Sequence, residues 1–143
     1  MMKISRNSAA SAIATLGLVS VLLAAPAAIS AEQPEIPAGE TISTWVENGQ
    51  DGRYLLQLLE GAVPEGKAAI AGTILSDTDC APDADGINHC KNEIRLEDGS
   101  ALKGINNHRM SVNRCLKPGE TVTVTPLNDE WAVVLIEEAA VNE

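Results

Sequence analysis

Thr121–Ile136 reads TVTVTPLNDEWAVVLI, and its two halves decide the fold class. Thr121 to Thr125 alternates Thr with Val. Every residue is β-branched and the period is two, which suits a pleated, half-buried surface and disfavours a helix. Asn128-Asp129 is a turn signal. Trp131 to Ile136 is a short apolar run, read as a second strand. The chain reaches this hairpin through Lys117-Pro118-Gly119-Glu120, a tight turn.

Moving towards the N-terminus, the β reading continues. Ile94 and Leu96 alternate with Arg95 and Glu97, and Asp98-Gly99-Ser100 turns the chain. A three-residue loop there would pair Leu96 with Leu102 and Ile94 with Gly104, keeping apolar side chains on one face. A two-residue Asp-Gly turn would set Leu96 opposite Ala101, a poorer match. Carried past Gly104, the parity places Leu102, Gly104, Asn106, His108, Met110 and Val112 on the core side, unless a bulge at Gly104 reverses it. Further back, Ala69 to Leu75 alternates as a strand. Between it and Ile94 lies an acidic loop, Ser76 to His89.

Asp51 to Gly61 is ambiguous. Leu55, Leu58 and Leu59 fall at helical spacing, with Asp51 to cap and Gly61 to stop, which predicts a short amphipathic helix; Leu56 interrupts the face, and a strand is the alternative. Glu32 to Glu40 is Pro-rich and reads as a flexible lead-in. Met1 to Ala31 has the form of a secretory signal peptide: Lys3 and Arg6, an uncharged apolar stretch, Pro26, then Ile29-Ser30-Ala31. Cleavage would leave roughly 110 residues, enough for one domain over residues 41–137, with an acidic tail at 138–143. About five strands and no long helix predict a small barrel of OB or SH3 type, mainly β, with one short helix near its N-terminus as the variant.

Composition narrows the function. The chain carries 20 Asp and Glu against 10 Lys and Arg, for a net charge of −10. The leader holds two of the basic residues, so the mature part is more acidic still. That balance argues against nucleic acid or an anionic membrane as partner. Two Trp, one Tyr and no Phe leave few stacking platforms for bases or sugars. Three Cys in an exported chain permit one disulfide and leave one thiol over.

The chemistry-bearing stretch is Asn106–Cys115, NNHRMSVNRC. It holds an imidazole (His108), a thioether (Met110) and a thiol (Cys115), ligand types that suit copper. With His89 added, these form the candidate metal site. The Cys-x-x-His-x-x-Met order of a cupredoxin loop is missing, and no recognised zinc spacing is present. Cys80 and Cys90 bracket the acidic loop and are the candidate disulfide, which leaves Cys115 free. Cys90 with Cys115 is the rival, and spacing alone leaves all three pairings open. Asp83-Ala84-Asp85-Gly86 matches part of a calcium loop, but Ala81 and Asn92 stand where two ligands belong. No nucleophile elbow, Gly-rich phosphate loop or Cys-x-x-Cys is present, so no catalytic residue is assigned and the chain is read as non-enzymatic. A reactive Cys115 beside Arg114 is the enzyme alternative.

Gly72-x-Ile74, Ile94-x-Leu96, His108-x-Met110, Leu116-x-Pro118-Gly119-x-x-Val122-x-Val124 and Trp131-x-Val133 together resemble small exported bacterial OB-type modules. Among these the pattern is similar to the periplasmic copper- and silver-binding chaperones of efflux systems, which set a Met-x-Met before the Leu-x-Pro-Gly turn. The resemblance spans Ala69 to Ile136. It implies a copper ion held by Met110 and, by substitution, His108. The family's metal-stacking Trp has no counterpart here, and three Cys are foreign to its pattern. The expectation is an exported metal-binding protein, copper first, acting as a periplasmic chaperone or buffer. Its partners would be the ion and an envelope protein, with no nucleic acid and no membrane after cleavage. The alternative is a disulfide-stapled, non-catalytic interaction or structural module of the cell envelope.

Overall fold

The computed structural model describes residues 32–137; the stretches read as a signal peptide and as an acidic tail lie outside them. Six strands form one closed antiparallel barrel: β1 (Arg53–Glu60), β2 (Ile70–Thr78), β3 (Asn88–Leu96), β4 (Ala101–His108), β5 (Thr121–Pro126) and β6 (Trp131–Ile136). The order around the barrel is β1-β4-β3-β2-β5-β6, closing back on β1. This small barrel is compatible with the OB type. The expected five strands become six, and the sixth is the ambiguous segment. Among the described residues, helical structure is limited to two single 3-10 turns, Trp45–Glu47 and Gln50–Gly52.

β1 is a strand because both of its faces are buried. Tyr54 and Leu56 point into the barrel, while Leu55 points outward into a second apolar layer. A helix could not send adjacent leucines to opposite layers. β1 also pairs with both β4 and β6. Without it those two strands would expose unpaired backbone groups.

The β3–β4 hairpin keeps the expected faces and changes the register. Ile94 lies opposite Leu102 and Arg95 opposite Ala101, so the loop is Glu97-Asp98-Gly99. Gly99 adopts φ +88°, and its N–H donates to Leu96 O at 2.9 Å. The shift is two residues, which preserves side-chain parity. Gly104 sits in β4 where a Cβ would come within 2.6 Å of both Gln57 O and Leu56 Cγ; its role is close packing of β1 on β4. The bulges fall elsewhere, at register shifts after Leu58 in β1 and after Ile74 in β2.

The inner core is aliphatic, built from residues such as Ile74, Ile94, Leu102, Val122 and Val134. Each fully buried side chain of this size contributes about 1.5–3 kcal/mol. The outer layer stacks Trp45 on Trp131, ring centroids 5.5 Å apart and planes 15° from parallel, with Leu55, Ile87 and Val133 around them. The residues expected as a lead-in lie over this layer. Ile36 packs on it, Pro34 O accepts from Trp45 Nε1 at 2.8 Å, and Glu40 pairs with Arg53 at 2.8 Å.

Candidate metal and thiol centre

One end of the barrel interior is polar. On β3, Cys90 and Asn92 point inward in alternation with exposed Lys91, and they face Asn106 and Gly104 of β4. The bulge in β2 then matters. It breaks the parity after Ile74, so that Asp77 comes opposite Asn92 on the inner side. Asn92 Nδ2 donates to Asp77 Oδ1 at 2.8 Å and to Ser76 O at 3.0 Å, fixing the carboxylate.

Beyond β2 the chain reverses at Asp79, whose φ of 55° is left-handed. That turn brings Cys80 back over β3, where it forms a disulfide with Cys90. The pairing expected from the bracketed loop is the one present, and it suits an oxidising, non-cytoplasmic compartment. Cys80 Sγ lies 3.6 Å from Asp77 Oδ2.

Cys115 arrives from the long β4–β5 connection and is a free thiol. Its approach is held at several points. Asn113 Nδ2 donates to Val46 O and Asn48 O, each at 3.1 Å. The Tyr54 hydroxyl donates to Arg114 O. The Arg114 guanidinium grips both oxygens of Glu120, at 2.6 and 3.2 Å, and Leu116 is buried in the core. A bidentate pair orients as well as attracts. The sulfur atoms of Cys80, Cys90 and Cys115 and a carboxylate oxygen of Asp77 all lie within 4.8 Å of one another.

The charge around this cluster keeps Cys115 protonated. Burial pushes its thiol up first, then the Asp77 charge and the hydrogen bond to that carboxylate do so; Arg114 opposes them weakly because Glu120 engages it. Burial likewise raises the Tyr54 phenol.

The sequence-predicted ligands part company. Cys115 joins the cluster. His108 is fully buried inside the barrel, edge-on to the Tyr54 ring at 5.9 Å, and it lies outside the four-atom group. Burial holds its pKa below the usual 6.5. Its Nε2 has no hydrogen-bond partner among the described residues, nor do Asn106 Nδ2 and Asn92 Oδ1 at the same end. The core-side parity stops at His108, where β4 ends; Met110 lies in the following turn with 43% exposure. His89 points to the other face of β3, with Nε2 3.0 Å from Asp83 Oδ2 and Nδ1 on Asn107 Oδ1. Both of its nitrogens are occupied.

The calcium-like loop also uses its own ligand. Asp83 Oδ1 accepts from the N–H groups of Asp85 and Ile87, at 2.9 and 3.0 Å, and its other oxygen meets His89. Burial raises this carboxyl, but the hydrogen bonds outweigh it and hold the pKa low. Asp77 is the residue that sequence reasoning passed over as one acid among several; its inward turn depends on a bulge that no local residue announces.

Comparison with protein-family models, with curated proteins and with solved structures found no match. The fold and the cluster therefore define the class by themselves: a small β-barrel with a disulfide and an adjoining Asp/Cys cluster of metal-ligand types.

Proposed function

We propose that this is an exported metal-binding protein whose centre is Asp77, Cys80, Cys90 and Cys115, loaded when the Cys80–Cys90 disulfide is reduced. The observation that carries the reading is the mutual span of 4.8 Å among the four ligand atoms. In that span Cys80 and Cys90 are bonded to each other; once reduction parts them, the same four groups are close enough to surround one ion with metal–sulfur bonds of about 2.3 Å. Three thiolates favour Cu(I). Asp77 would supply the fourth donor or orient a thiolate, an outer role worth about 10–100-fold in affinity. In the oxidised form only Cys115 and Asp77 remain as donors, so reduction sets the capacity. The acidic surface favours encounter with cations. On this reading the protein is a copper buffer or chaperone of the periplasm, non-enzymatic, handing its ion to an envelope protein.

An anaerobic titration tests it. Phosphine-reduced protein should take about one Cu(I) from a coloured competing chelator and develop thiolate-to-copper absorption in the ultraviolet. The disulfide form should not. Cys115→Ser should weaken binding at least about tenfold, and Met110→Ala should leave it unchanged. Equal affinity in reduced wild type and Cys115→Ser would sink the proposal.

The disulfide itself favours a second reading, a non-catalytic module stapled for stability in the envelope. Reduced protein that binds no copper yet loses thermal stability supports that one.

A further inference from the structure

The three sulfur atoms bear on a second chemistry that needs no metal and does not rest on the metal reading. A free thiol lies within 4.8 Å of both sulfurs of a disulfide, with one carboxylate touching the set. We propose that Cys115 attacks Cys90 in an internal thiol–disulfide exchange that moves the free thiol to Cys80. Cys115 reacts as its thiolate, with the proton released to solvent. The thiolate forms a new bond to Cys90 Sγ. The Cys80–Cys90 bond breaks with its electron pair leaving on Cys80 Sγ, which takes up a proton from solvent and lies 3.6 Å from the Asp77 carboxylate. One S–S bond replaces another, so no oxidant or reductant is consumed.

The leaving group decides which sulfur is attacked. Attack on Cys80 would expel Cys90, which is fully buried in β3, and strand a thiolate inside the barrel. Attack on Cys90 expels Cys80, which is part-exposed on the connection after β2. That connection stays anchored without its staple. Cys80 O accepts from Asn88 Nδ2 at 2.9 Å, Ala81 O accepts from His89 N at 3.2 Å, and the Asp83 turn is closed by its own hydrogen bonds. The new bond would tie β3 to the β4–β5 connection, whose position Asn113, Tyr54 and Glu120 already hold. The exchange therefore presents a reactive thiol on the loop without opening the barrel.

Disulfide mapping tests this on the native, oxidised chain kept in a metal chelator, so failure of the copper titration has no bearing on it. The protein is held for hours at about pH 8, where even a raised thiol supplies a small, renewable fraction of thiolate, and treated with a bulky maleimide. It is then quenched in acid and digested with pepsin. The expected map carries label on Cys80 together with a Cys90–Cys115 cross-linked peptide. A free thiol found only at Cys115, beside an intact Cys80–Cys90 bond, overturns the proposal, whether labelling is native or follows unfolding in acid. Cys80→Ser gives a second readout: after air oxidation it should lose both remaining thiols to a Cys90–Cys115 bond. Two titratable thiols in that oxidised variant also overturn it.

Discussion

His108 shows how one side chain can be legible by type and hidden in role. Its imidazole stands at the end of β4 against Tyr54, and burial, offset in part by the Asn106 carbonyl and the Asp77 charge, depresses its pKa below 6.5. A depressed histidine favours the folded state only while neutral. The unfolded chain binds the proton first as pH falls, so this stability is complete above about pH 6.5 and is lost through lower pH. Wild-type thermal stability should therefore drop between about pH 7 and pH 5, and His108→Gln should flatten that drop. Glu120 and Asp83, whose pKa values are lowered, lose their contribution only further down, as pH falls through the carboxylate range near about 4. An equal slope in the variant would assign the effect to other groups. Asp77 makes the complementary point. Its residue type is ordinary in an acidic loop, and only a bulge one turn of strand earlier points it at the sulfurs.

At the scale of the element, β1 separates two readings of one leucine-rich stretch. Helical spacing would set Leu55, Leu58 and Leu59 against the core and leave Leu56 at the margin. The strand buries Leu55 and Leu56 completely, on opposite faces, and leaves Leu59 56% exposed at a bulge. Leu56→Ala should cost about 2–5 kcal/mol in denaturant unfolding, through lost burial and the cavity left. Leu59→Ala should stay within about 0.5 kcal/mol. The reverse order would restore the helix. The β3–β4 hairpin teaches a related lesson. Alternation specified which side chains share a face, and the observed register honours that. The choice between two three-residue loops offset by one residue along the chain, and so by two in register, was made by Gly99, whose left-handed φ lets its N–H close on Leu96 O.

Across the whole molecule, the barrel, the outer tryptophan layer and the staple stabilise different parts. The disulfide closes a loop over a sequence separation of 10. On the chain-entropy model that is worth about 3 kcal/mol. A Cys80→Ser/Cys90→Ala double variant should unfold about 3 kcal/mol more easily yet keep its β-sheet circular dichroism, because all six strands are closed by ladder hydrogen bonds. Loss of the β signal would instead make the staple a condition of folding.

What the residues determined by themselves was the all-β class, the hairpin at Thr121–Ile136 and the shared apolar face of β3 and β4; of the three cysteine pairings they allowed, the structure selects Cys80–Cys90. The first three depend on period-two alternation or on short separations, which local chemistry encodes. The tertiary structure decided the rest: that Leu55 and Leu56 have two layers to fill, that Asp77 faces inward after a bulge, that Met110 leaves the face His108 keeps, and that Cys115 meets a disulfide from distant parts of the chain. Those outcomes follow from closure of the barrel. Closure sets which strand ends and connections come together at its mouth, and no spacing within one segment carries that information.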